Sequence, residues 1–109
     1  MKFYPLLYTA PSVEKKRGTI IWKLRCSAGL RNVYLLTLAS NEQDLFDIMD
    51  AAYVKQKPLR RNLPMIIGLT SSRQEAVDMA IGIIEETLKE TGTVDVRAYL
   101  QNKLKKEGC

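Results

Sequence analysis

The spacing of apolar side chains divides the chain into seven segments. Residues 3–9, FYPLLYT, form a short apolar run that reads as a strand. Pro5 cannot donate to a ladder and argues for an edge position. After the polar connection APSVEKKRG, the residues TIIWKLRC alternate, with Ile20, Trp22, Leu24 and Cys26 on one side and Thr19, Ile21, Lys23 and Arg25 on the other. Period-two alternation of this kind predicts a half-buried antiparallel strand. The turn SAGLRN leads to a third strand, VYLLTLA.

Ser40-x-x-Gln43 has the form of a capping box and predicts a helix over residues 41–56. On that helix Leu45, Phe46, Ile48, Met49, Ala52 and Tyr53 would share one broad side. The basic stretch KPLRRN then precedes LPMIIGLT, whose continuous apolar character predicts a strand buried on both faces. A helix over residues 72–90 would gather Ala76, Val77, Ala80, Ile81, Ile84 and Leu88, and Gly92 stands where a C-terminal cap belongs. A last helix, residues 95–106, aligns Val96, Tyr99, Leu100 and Leu104. The expected fold is one α+β domain over residues 1–109. It has a four-stranded mixed sheet, element order β-β-β-α-β-α-α, and helices mainly on one face.

Composition narrows the class without naming an activity. At 109 residues the chain can bury roughly two-thirds of its unfolded surface and fold without staples. No apolar run approaches a membrane span of about 20 residues, and the N-terminal MKFYPLLYTAPS reads as a strand rather than a signal peptide. Two cysteines are too few for a disulfide framework, so reduced thiols in a cytoplasmic protein are expected, with Cys26 packed in the core. The formal charge of +5 is uneven. Residues 1–61 hold eleven basic and five acidic side chains, a net +6, whereas residues 62–109 carry a net −1. That asymmetry points to an anionic partner.

Histidine is absent, which removes the commonest general base near neutral pH and any triad built on it. Asp44, Asp47 and Asp50 recur every third residue but read as the wet side of a helix, and neither a metal nor a cofactor is expected. Gly82, inside a helix, is explained by close approach of another backbone, from the last helix or a second subunit, and about as well by chance.

Two surfaces remain as candidates. If the third strand, its helix and the fourth strand form a βαβ unit, one end of the sheet collects Lys15, Lys16 and Arg17 with two helix starts. These starts lie at Ser40-Asn41 and at Gly68, Thr70, Ser71 and Ser72. Helix N-termini accept anions through unpaired N–H groups, although Ser72-x-x-Glu75 is itself a capping box that satisfies such donors. Tyr4, Tyr8, Lys23, Arg25, Arg31, Lys57, Arg60 and Arg61 form a second, nucleic-acid set, in which tyrosines and cations on shared strand sides would stack and pair with a single strand. The sheet face opposite the helices would stay apolar and favour a homo-oligomer, most simply a dimer, unless the final amphipathic helix folds across it and closes it within a monomer. The chain therefore reads as a non-catalytic binding or assembly protein. A nucleic-acid-binding accessory role is the alternative, and an enzyme acting on an anionic small molecule ranks third.

Overall fold

A computed structural model describes residues 2–26, 30, 32–39, 45–52 and 64–107, with residues 106 and 107 described by their backbone alone. Four strands, β1 (Phe3–Thr9), β2 (Tyr34–Leu38), β3 (Phe46–Asp50) and β4 (Ile66–Thr70), form one mixed sheet in the order β1-β4-β2-β3. β1 runs parallel to β4, and β2 is antiparallel to both β4 and β3. The helices are α1 (Arg17–Arg25), α2 (Arg73–Thr91) and α3 (Val96–Glu107), and a 3-10 turn at Glu14–Lys16 leads into α1. The α+β class and the mixed four-stranded sheet are as the sequence implies, and Pro5 lies exposed in an edge strand.

Two elements differ from expectation. The stretch read as a strand at residues 19–26 is helical through Arg25. Ile20 and Leu24 satisfy a period of two and equally the i, i+4 spacing of a helix. In the helix both are buried, whereas Trp22, two residues from each, is turned outward at 65% exposure and Cys26 is exposed. Conversely, Phe46–Asp50 is a strand rather than part of a helix. Phe46 and Ile48 pack on one side of the sheet and Met49 on the other, an alternation that the neighbouring apolar residues disguise as helical. Asp47 and Asp50 place charge along this outer strand, a feature that discourages edge-to-edge pairing. The observed order is therefore β-α-β-β-β-α-α.

β2 pairs antiparallel with both β3 and β4, so β4 runs against β2 instead of parallel to it. The consequence for loop placement is direct. Thr9 lies beside Leu69, so the segment after β1 and the start of α2 share one end of the sheet. The amide of Leu38 bonds the carbonyl of Met65, which places the exit of β2 at the opposite end.

Both sheet faces are covered. On one, Val13, Ile20 and Leu24 close over Leu7, Leu35, Ile66 and Leu69. On the other, Ile83 of α2 and Val96 and Leu100 of α3 close over Tyr4, Leu36 and Ile67. The two longer helices do share a face, but α1 covers the face expected to stay bare, so that face offers no apolar surface for self-association. On α2 the buried stripe is Ala76, Ile83 and Thr87, rotated from the expected one, which leaves Ile81 and Leu88 49% and 45% exposed. Thr87 enters the core because its hydroxyl donates to the Ile83 carbonyl at 2.8 Å. Gly92, at φ +77°, caps the helix in the left-handed conformation, its amide bonded to the Leu88 carbonyl.

Candidate functional site: a basic helix surface and an acid-walled cleft

The start of α2 is built as a closed cap. Ser72 accepts the Glu75 amide at 3.1 Å, and the Glu75 carboxylate turns back to accept the Ser71 amide at 2.8 Å. The reciprocal partner is thus one residue earlier than in the usual capping box. Ser12, arriving from the segment after β1, donates to the same carboxylate, as does the Ser71 hydroxyl. The backbone amide of Ser71, then the Ser12 and Ser71 hydroxyls, hold the Glu75 carboxyl below its ordinary pKa. Thr70 donates inward to the Ser72 carbonyl. Gly68 is buried, and a side chain there would collide with the Met79 sulfur, so its bareness accommodates Met79. The Thr70 hydroxyl and the Ser71 amide and hydroxyl are therefore engaged within the protein, and the Ser72 hydroxyl accepts a helix amide. Of the anion set, Lys15, Lys16 and Arg17 stand at this end on the exposed 3-10 turn and first residue of α1. Ser40 and Asn41 lie outside the described residues, after a strand that leaves at the other end.

The second set is divided by the sheet. Tyr4 is 2% exposed under α3, its hydroxyl donating to the Leu100 carbonyl at 2.7 Å, and Tyr8 packs against the same core. Lys23 and Arg25 are on α1, across the sheet from those rings, so the expected shared side does not form. Arg31, Lys57, Arg60 and Arg61 lie outside the described residues. What the structure does assemble is one basic surface. Lys15, Lys16, Arg17, Lys23 and Arg25, drawn from both candidate sets, are all exposed within a single helical stretch whose outward side carries Trp22. Within residues 14–25 the sequence carries one acidic side chain, Glu14. Arg25 also lies over the Phe3 ring, 5.3 Å from its centroid, which anchors the end of α1 to β1. The strand reading hid Trp22; the Ile20–Leu24 spacing was the available signal.

On the opposite side of the sheet a cleft of about 460 Å³ opens between the end of β1 and α2. Tyr8, Ala10, Pro11, Met79 and Ile83 make it apolar, and Glu75, Asp78 and Glu86 line it with carboxylates. Gly82 belongs to its wall, and a Cβ built there would meet nothing within 4 Å. Among the described residues of the chain, the last helix included, no backbone closes on Gly82; the position borders open space.

Glu86 is the hub of a network joining three elements. Its Oε2 accepts the Tyr8 hydroxyl at 2.8 Å and the Tyr99 hydroxyl at 2.6 Å, and Lys103 stands 3.4 Å away. Lys103 also donates to the Tyr8 oxygen at 3.0 Å and lies over that ring. Burial, the largest single influence, pushes the Glu86 carboxyl up, but Tyr99, Tyr8 and Lys103 together outweigh it and leave it below its ordinary value. Burial and then Glu86 push the Tyr99 phenol well above its usual range. Among the described residues no group of three metal-ligating side chains converges, and no helix is long and apolar enough to cross a membrane. No protein-family model, curated protein or solved structure matches the chain.

Proposed function

We propose that this chain is a non-catalytic binding protein whose α1 surface engages single-stranded nucleic acid. The observation that carries the reading is Trp22, 65% exposed on a helix whose flanks are Lys15, Lys16, Arg17, Lys23 and Arg25. An indole in water offers a flat stacking platform for any base, and surrounding cations attract the phosphates. Ile20 and Leu24 fix α1 to the sheet, so the surface is presented without a folding cost. The same anchoring argues against a lipid surface as partner, because an interfacial helix needs its apolar face free, and here the core occupies it.

Trp22 is the chain's single tryptophan, so its emission reports directly on this surface. Titration with a single-stranded oligonucleotide at low salt is expected to quench it saturably. Engagement of all five cations would give a log–log salt dependence with a slope of about −3 to −4. Trp22→Ala is expected to weaken binding by about 5- to 150-fold, the range of one stacked base. No quenching, or affinity weaker than the roughly 10⁻⁴ M of non-specific contacts at physiological salt, ends the reading.

A separate observation favours self-association as a second reading. Val77, Ile81, Ile84 and Leu88 follow a four-three-four spacing along α2, and Ile81 and Leu88 are about half exposed. Such a strip fits the holes of a second helix, which a second copy would supply. Light scattering distinguishes a mass of 12.4 kDa from its double, and Ile81→Asp is expected to return a dimer to the smaller value.

A further inference from the structure

We infer that the cleft between β1 and α2 is a binding site for a small organic cation, a protonated amine carried on an apolar or aromatic body. Its volume, about 460 Å³, falls within the range of small-molecule pockets. Its lining combines two chemistries. Met79, Ile83, Ala10, Pro11 and the Tyr8 ring offer apolar and aromatic contact, whereas every charged residue of the lining is a carboxylate. Glu75 and Glu86 are both held below their ordinary pKa and stay ionised at neutral pH. Lys103 offsets part of the Glu86 charge from the α3 side; Glu75 and Asp78 have no basic side chain beside them in the lining. An anion entering here meets repulsion, and a neutral apolar molecule leaves the carboxylates without gain. An ammonium group on an apolar body matches both.

Gly82, itself in the cleft wall, bears on the same space. Glycine inside a helix costs about 1 kcal/mol against alanine, and cores usually justify it by a tight contact. Here a Cβ would meet nothing within 4 Å, so no packing among the described residues requires its absence. What its absence leaves is room in the cleft wall. The site is on the sheet face opposite α1 and does not depend on nucleic-acid binding there.

The test is a pair of probes of matched shape and opposite charge, phenethylamine and 3-phenylpropanoate, added to the full chain and followed by backbone amide shifts. Phenethylamine is expected to move the amides of residues 9, 10 and 78–83 saturably at millimolar concentration, and 3-phenylpropanoate is expected to leave them in place. Gly82→Leu, which fills the wall, should abolish the response. Asp78→Asn, an exposed change that the fold tolerates, should weaken it by about tenfold, the worth of one charge-assisted bond. Equal response to both probes, no response to phenethylamine, or unchanged binding in Asp78→Asn would overturn the assignment.

Discussion

Single residues in this chain take their meaning from what a side chain would touch, and Gly68 and Gly82 show it with opposite signs. Gly82→Ala is expected to raise stability by about 0.5–1 kcal/mol, since its Cβ meets open space and the helix gains a better former. Gly68→Ala is expected to lower it by about 1 kcal/mol or more, because Met79 must swing away from its packed position. Thermal denaturation of the two variants checks both signs. The cap of α2 supplies a pH dependence. The folded Glu75 carboxyl titrates below its ordinary value of about 4.5, so its contribution is complete above that value and fades as pH falls through the folded pKa. Glu75→Gln should flatten this acid limb, and Ser72→Ala should cost about 0.5–2 kcal/mol at neutral pH. The cap was legible in the sequence because Ser-x-x-Glu before an apolar run is a local pattern. The role of Gly82 was not, since the emptiness beside it is made by a strand some seventy positions away.

At the level of elements, legibility followed how clearly a segment shows a single period. α2 and α3, long enough to display their period, and β4, apolar throughout, stand close to where the pattern places them. α1 and β3 do not, because nine and five residues fit both periods. The exchange of these two assignments moved Trp22 from core to surface and reversed β2 against β4, which in turn separated the loops expected to converge. A stability comparison distinguishes the two forms of residues 19–26. With α1 as a helix, Leu24→Ala should cost about 2–5 kcal/mol, whereas Trp22→Ala should cost less than about 0.5 kcal/mol. An alternating strand with Trp22 inward would make both expensive. Denaturant titration of the two variants measures the difference.

Across the whole molecule, the sheet separates a basic helix surface from an acid-walled cleft, and the Tyr8–Glu86–Tyr99–Lys103 network ties the cleft side together across β1, α2 and α3. Because the folded Tyr99 phenol titrates above its ordinary value near 10, its contribution is complete below that pH and is lost as pH rises through the folded value. Tyr99→Phe should therefore remove part of the alkaline loss of stability, a difference read from unfolding at neutral pH and above pH of about 10. The place of β1 in the sheet carries a further consequence. Phe3–Thr9 is translated some sixty residues ahead of Ile66–Thr70, the strand that must receive it. Through that interval a β-prone apolar heptapeptide waits without its ladder partner, the kind of segment that seeds association between nascent chains. Pro5, exposed and without an N–H to offer, interrupts such a template during the wait. The same residue thus guards the strand twice, during that interval and later at the rim of the finished sheet.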